Sequence, residues 1–267
     1  MPFSHSGDVI EFTAEELKGY IREGKIVGRG AFGPVYKGII KGRQERNING
    51  EHVAIKFSRN KCERASTQWR AEKDYLPEVK HQNIIKLIGY CESEERFYLV
   101  YPFMQNGTAL SQLSGLDWHK TLKIIKGVAS AIQKLQGFTP ALVHRDIKLD
   151  NILLDQNFTP KLADFGNVTP EIEDGSKAED IYSFGEILLQ LIAKNEKNYY
   201  IGTTRRIGDW ARENYPQIKL LHAILEKTGC SRKAAAAITE LGLECVEPHP
   251  SDRPTIAQVL AKLAYLS

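Results

Sequence analysis

The chain has 267 residues, 42% hydrophobic and 26% charged, with a formal net charge of +3. That suits one soluble domain, or one two-lobed domain, whose core needs no staples, and the mild charge speaks against a dedicated nucleic-acid binder, whose basic excess is stronger and gathered on one face. The four cysteines, Cys62, Cys91, Cys230 and Cys245, form no C-x-x-C pair, so plain thiols in a reducing compartment are expected rather than a zinc or redox site.

In chain order, Met1 to His5 lacks a signal pattern, and Pro2 rules out N-myristoylation. Thr13-Ala14-Glu15-Glu16 reads as a capping box opening a short helix. Lys25 to Ile40 is β-rich around a glycine cluster, Lys41 to Glu51 reads as a polar hairpin loop, and His52 to Phe57 as a strand. A helix is predicted from about Thr67 to Leu76, ending before Pro77, followed by strands at Ile84 to Gly89 and Phe97 to Tyr101. After Gly107 the texture turns helical. Leu113 to Leu135 carries an apolar face of Leu122, Ile125, Val128, Ala129 and Ile132. Short strands are predicted near Leu142, Ile152 and Lys161, a buried helix at Ile181 to Ile192, and helices throughout the last third. No apolar run is long enough to span a bilayer. The organisation is a small β-rich half followed by a larger helical half, the two meeting near Pro102 to Gly107.

Four motifs follow one another along this frame. Gly28-Arg29-Gly30-Ala31-Phe32-Gly33-Pro34-Val35 matches G-x-G-x-x-G-x-V. Glycines there let backbone N–H groups approach phosphates closely, but a glycine-rich strand turn needs no ligand. The chain continues as strand rather than helix, which weakens a dinucleotide-binding reading. Lys56 closes the strand run Val53-Ala54-Ile55-Lys56, and Glu72 lies on the next helix. Each alone reads as a surface charge; in this order they form the arrangement that fixes an ammonium against phosphate oxygens. His144-Arg145-Asp146-Ile147-Lys148-Leu149-Asp150-Asn151 matches H-R-D-x-x-x-x-N. Here Asp146 can accept a hydroxyl proton, Lys148 can neutralise a transferring phosphoryl group and Asn151 can hold a metal. Asp164-Phe165-Gly166 supplies a carboxylate suited to a divalent cation shared with phosphate oxygens.

At these residues the sequence resembles the eukaryotic protein-kinase superfamily from about Ile21 to Leu263, above all the plant receptor-like and receptor-like cytoplasmic kinases. Phe12 to Leu17 resembles that group's lead-in helix, His81 to Cys91 its H-x-N-[LI]-[VI]-x-L-[LI]-G-Y-C run, and Leu99 to Tyr101 with Met104 to Gly107 its hinge. Asp180 to Gly185 resembles its D-V-Y-S-F-G helix, and Cys245-Val246 with Pro250 to Thr255 its closing C-V…P-x-x-R-P-[TS].

The resemblance implies an α+β, two-lobed fold, with a small antiparallel β-rich lobe (21–102), a larger helical lobe (103–267) and an N-terminal extension with a short helix (1–20). It implies ATP and Mg2+ as cofactors, with Mn2+ as an alternative. Adenine would lie between the lobes, under Val35 and Ala54 and over Leu153, its polar edge on the carbonyl of Pro102 and the backbone of Met104. Tyr101 would be the gatekeeper, and His144, Phe165 and Leu76 would stack in a hydrophobic spine. Gly28, Arg29, Gly30, Ala31, Phe32, Gly33 and Lys56 would cradle the phosphates, and Asn151 and Asp164 would hold the metal. Asp146 and Lys148, with Lys56 and Glu72, would be catalytic, and Lys148 favours serine/threonine specificity. The implied partners are a protein substrate or signalling partner, not nucleic acid. The implied setting is cytoplasmic, with any membrane association through a partner.

The chain departs from the family between Gly166 and the Asp180 helix. Thr169-Pro170-Glu171 looks like the family's A-P-E, whose Glu171 would pair with Arg253; Asn167 and Val168 alone would then separate it from Asp164-Phe165-Gly166. The phosphorylatable loop that an arginine such as Arg145 pairs with, and the peptide platform, would both be missing. Three readings stay open: an active serine/threonine kinase regulated without loop phosphorylation, a nucleotide-binding pseudokinase acting as scaffold or decoy, and a small-molecule phosphotransferase.

Overall fold

The computed structural model describes residues 9–21, 25–30, 32–40, 51–171, 176–193, 207–208, 211 and 226–266. The chain divides into two compact units, Met1–Gln105 with Asp164–Val168, and Asn106–Ala163 with Thr169–Ser267.

The first unit is built on a six-stranded sheet. Its strands are β1 (Ile10–Glu11), β2 (Ile26–Arg29), β3 (Pro34–Ile40), β4 (Glu51–Phe57), β5 (Gly89–Glu92) and β6 (Phe97–Pro102), in the order β1-β5-β6-β4-β3-β2. The sheet is antiparallel except at one edge, where β1 lies parallel on β5. Within the predicted lobe, 21–102, every pairing is antiparallel as expected; the parallel pair is made by the N-terminal extension. The added strand is held by Ile10 N to Ile88 O at 3.0 Å and Phe12 N to Tyr90 O at 2.9 Å. Gly89 permits the approach: a Cβ there would stand 2.3 Å from Ile10 O. Helix α1 (Ala14–Ile21) follows, opened by the predicted capping box, with Thr13 N to Glu16 Oε2 at 2.8 Å and Glu16 N to Thr13 Oγ1 at 3.2 Å.

Side chains alternate along β4, and this sorts core from site. Val53 and Ile55 are fully buried in a cluster with Phe12, Leu17, Ile40, Tyr98 and Val100. Ala54 and Lys56, half-buried, face the other way. Ile84, Ile85 and Leu87 are buried without forming the predicted strand; the alternation is broken and the ladder begins at Gly89. Helix α2 (Glu63–Tyr75) starts a turn earlier than predicted, after Cys62, and buries Ala65, Trp69 and Glu72 on one face. Trp69 is its anchor, stacked on Phe97 at 5.1 Å and donating from Nε1 to Tyr98 O at 3.0 Å. Glu72, three residues on, lies on the same helix face and is carried inward with it.

The second unit is helical. After the short helix α3 (Ala109–Gln112), helix α4 (Trp118–Gln136) is capped by Asp117 and buries the predicted stripe together with Ile124, Ala131 and Leu135, so it is enclosed on more than one side. The predicted short strands are β7 (Leu142–Val143), β8 (Ile152–Leu154) and β9 (Pro160–Leu162), with β8 and β9 paired. Strand β10 (Thr169–Pro170) pairs with β7. Helix α5 (Lys177–Ala193) is the buried apolar helix, packed against α6 (Arg232–Cys245), while α7 (Ile256–Ala264) packs on α4. The loop predicted at Lys41 to Glu51 lies, but for Glu51, outside the described residues, as does much of the stretch between α5 and α6. Cys91, Cys230 and Cys245 are buried and Cys62 is exposed, and none forms a disulfide. Burial pushes the Cys245 thiol up to about 12, which keeps it an inert thiol. Among the described residues no helix is long and apolar enough to cross a membrane.

Candidate active site

In the first unit, β2 and β3 join through the glycine cluster, where Gly30 N donates to Gly33 O at 3.0 Å. Its glycines are there for different reasons. A Cβ on Gly33 would stand 1.9 Å from Phe57 O, so the protein's own backbone excludes a side chain. At Gly28 the nearest atom to an added Cβ is 3.8 Å away, and at Gly30 it is 4.0 Å. Among the described residues nothing requires glycine at those two positions. Open space over exposed backbone fits a phosphate cradle, which a Cβ would partly fill. Arg29 is exposed, Phe32 and Val35 are buried and half-buried, and Ala31 lies outside the described residues.

Lys56 is drawn into a polar knot. Its Nζ lies 2.7 Å from Glu72 Oε1 and 2.7 Å from Asp164 Oδ1, and 5.1 Å above the Phe32 ring. The Tyr101 hydroxyl donates to the other Glu72 oxygen, Oε2. Glu72 is only 1% exposed, so this second bond matters: a buried charge pair is tolerable when its remaining lone pairs are also met. Burial alone would depress the Lys56 ammonium, but Glu72 and Asp164 outweigh it and hold the group above its ordinary range. Burial and the Glu72 carboxylate push the Tyr101 phenol well up, so it remains a donor. Asp164 sits in the left-handed region, with φ 65° and ψ 64°. A non-glycine residue there stores about 1–3 kcal/mol, which its ion pair and the packing of the following turn must offset. That turn, Phe165–Asn167, buries Phe165 completely and presses Gly166 on α2, where an added Cβ would lie 3.1 Å from Gln68 Cβ. Ala54 is paired with Tyr101 across β4 and β6, and Pro102 with Val53. Phe103 N donates to His52 O at 3.0 Å, and Met104 and Pro102 are half-buried. Leu76 is buried in this unit and His144 in the other.

In the second unit, the loop after β7 gathers three of the predicted residues. Lys148 Nζ lies 2.8 Å from both Asp146 oxygens, and Asn151 Nδ2 donates to Asp146 O at 2.8 Å and to Oδ2 at 2.9 Å. Asn151 closes a 3₁₀ turn, Leu149–Asn151, that leads into β8 and the half-buried Leu153. The loop's organiser is a residue to which sequence reasoning gave no site role. Asp180, fully buried in the first turn of α5, accepts His144 N at 2.7 Å and Arg145 N at 2.9 Å. This doubly accepted bond holds Arg145 at φ 66°, again the left-handed region. The signal in the sequence was an acid heading a strongly apolar helix, since a carboxylate so buried must find donors.

Burial raises the Asp180 carboxyl to about 6; the two backbone donors pull the other way without cancelling it. An unfolded aspartate titrates near ~3.9. A raised carboxyl contributes stability that is fully present below the unfolded value and lost as pH rises through the folded one. Between pH 4 and 7 an Asp180→Asn variant should therefore gain on the wild type by up to ~3 kcal/mol. Urea unfolding of both proteins across that window reads the difference; parallel curves would exclude Asp180 as the responsible group.

The shortened segment is not what its sequence suggested. Thr169 and Pro170 form a strand in register with Val143 and Leu142, and Glu171 N donates to Ala141 O at 2.7 Å. Glu171 pairs with Lys177 at 2.9 Å, while Arg253 donates to the carbonyls of Glu247, Ala178 and Pro248. The A-P-E reading of Thr169 to Glu171, and its Glu171–Arg253 pair, are thus corrected. These residues are an extended continuation of the turn at Asp164, laid directly on β7. Arg145 Nε donates to Thr169 Oγ1 at 2.9 Å, and its Nη1 lies 3.7 Å from Glu179 Oε2.

Comparison with known proteins gives the same direction. The model of a family described as protein tyrosine and serine/threonine kinase matches residues 21–177. The probable serine/threonine-protein kinase PBL15 of Arabidopsis thaliana is 30% identical over 97% of this chain and 70% of its own length. An EPD1-interacting receptor-like cytoplasmic serine/threonine-protein kinase of Nicotiana benthamiana is 30% identical over 96% of this chain and 64% of its own. The leucine-rich repeat receptor protein kinase EMS1 of Arabidopsis thaliana is 31% identical over 96% of this chain, which spans only 24% of that relative.

Proposed function

This chain belongs to the protein tyrosine and serine/threonine kinase family, and on that premise we propose that it transfers the γ-phosphoryl group of ATP to serine or threonine hydroxyls of a protein in intracellular signalling. The family implies ATP, a divalent metal and a protein substrate; Mg2+ is the metal proposed, with Mn2+ as the alternative. The observation that carries the reading is the Lys56 ammonium bracketed by Glu72 and Asp164, each at 2.7 Å. A buried ammonium so anchored keeps a fixed position from which its remaining N–H can meet phosphate oxygens.

The residues suit the ligands. Gly28 and Gly30 leave open the space that phosphates need, and Asp164 and Asn151 offer the oxygen donors that a hard divalent cation takes. Asn151 Nδ2 is engaged with Asp146, which leaves its Oδ1 as the ligand atom. A divalent cation held by these residues would supply neutralisation of charge on the phosphate oxygens. In this reading Val35, Ala54 and Leu153 would give adenine its apolar cover, the Pro102 carbonyl and the Met104 backbone would meet its polar edge, and Tyr101 would be the gatekeeper. Asp146 orients the acceptor hydroxyl and takes its proton as the new O–P bond forms and the old one breaks to release ADP. Lys148, already 2.8 Å from Asp146, balances the charge of the group in transit. We further propose a cytoplasmic setting, in keeping with the name of the Nicotiana relative.

Incubation of the purified chain with γ-labelled ATP, Mg2+ and a generic protein substrate, followed by phosphoamino-acid analysis, tests the reading. Label is expected in phosphoserine and phosphothreonine and not in phosphotyrosine. A melting shift with Mg-ATP but no transfer to any substrate would replace it with a nucleotide-binding scaffold.

A further inference from the structure

The arginine beside the proposed base has its partners without any phosphate. Arg145 is held at its side chain by Thr169 Oγ1, 2.9 Å from Nε, with the Glu179 carboxylate 3.7 Å from Nη1. Ordered elements present both groups. Thr169 lies on β10 in register with Val143, two residues before Arg145, and Glu179 sits in the first turn of α5, next to the Asp180 that accepts the Arg145 N–H. Strand β10 docks on β7 immediately after the turn Phe165–Asn167, and α5 begins at Lys177. Six residues, 171–176, separate these two elements. A hydroxyl supplies the acceptor and a carboxylate the negative charge, the two properties a phosphate would bring.

We propose that the unmodified Thr169 hydroxyl, together with Glu179, stands in for a loop phosphate. Thr169 is a positioning residue that fixes Arg145, and through its backbone the adjacent Asp146, so that phosphoryl transfer needs no activating phosphorylation. The inference rests on the reading of Asp146 as the base.

The test compares wild type, Thr169→Val, Thr169→Ser and Glu179→Gln, each stripped by a broad phosphatase and shown phosphate-free by intact mass. Stripped wild type should keep its kcat. Thr169→Val should lose about tenfold to a hundredfold in kcat, with KM for ATP unchanged, because Arg145 is not one of the residues proposed to hold the nucleotide. Thr169→Ser, which keeps the hydroxyl, should restore most of the rate, and Glu179→Gln, at an exposed side chain, should lower kcat about threefold. Hydrogen exchange over residues 142–149 is read on the same samples: the His144 and Arg145 amides should open faster in Thr169→Val and not in Thr169→Ser. Loss of wild-type activity on phosphatase treatment overturns the proposal, as does a Thr169→Val protein with normal kcat. Should the chain transfer no phosphoryl group at all, exchange that still separates Val from Ser sustains the positioning role and removes only the kinase reading. Identical exchange overturns the positioning role itself. If Thr169→Val does not fold, Thr169→Ala takes its place beside Glu179→Gln, and rates for both equal to wild type overturn the proposal.

Discussion

Asp146→Asn is expected to lower kcat for transfer by about 10²–10⁴-fold while the melting shift with Mg-ATP persists. The amide keeps the shape of the side chain and can still accept from Lys148, but it cannot take the hydroxyl proton. The fold should hardly notice. Asp146 and Lys148 are 26% and 49% exposed at their side chains, so their ion pair is of the surface kind, worth ~0–1 kcal/mol. Initial rates and calorimetric melts on one preparation separate the two effects. A large drop in stability, or a rate near that of wild type, would count against Asp146 as the base.

Lys56→Met should act in the opposite manner, on stability and nucleotide together. Lys56 and Glu72 are 12% and 1% exposed, and removing one partner of a buried pair leaves the other charge uncompensated, at about 3–5 kcal/mol. The Tyr101 hydroxyl still donates to Glu72, so the lower end of the range is expected. Combining Lys56→Met with Glu72→Gln should recover part of the loss, since the orphaned charge goes with it; urea unfolding of the two single variants and the double closes the cycle. The Mg-ATP melting shift should vanish in every variant that lacks Lys56. A shift that survives would mean that the ammonium does not hold the phosphates.

The parts of this molecule that could be read from sequence are those where chemistry leaves little choice of residue. A lysine on a strand after a glycine turn, an acid on the next helix and an aspartate before Phe165-Gly166 read in order as one device, and Lys56, Glu72 and Asp164 do share one knot. The apolar stripe of α4 was legible for a similar reason, because burial imposes its own period. What escaped is what depends on partners distant in sequence. Nothing local tells Thr169-Pro170 to be a strand; β7 does, through Val143 and Leu142. Nothing local gives Tyr101 a carboxylate until Trp69 has docked α2 and turned Glu72 inward. Ile84 to Leu87 offered apolar residues without alternation, and tertiary packing took them as irregular core. The parallel strand β1 rested on a missing Cβ at Gly89, a fact about space that a letter code records only as a glycine.

That parallel strand also guards an edge. Without Ile10 and Glu11, β5 would end the sheet with unpaired amides and carbonyls beside the vacated places of Phe12 and Leu17, both now buried in the same cluster. Exposed strand edges next to apolar surface recruit other chains. A fragment cut at residue 21 would keep every motif of the candidate site and yet offer a sticky margin, so its failure would take the form of precipitation rather than of lost chemistry. The first strand and helix thus act as a hem on the sheet, and solubility is expected to depend on residues to which no site role is given.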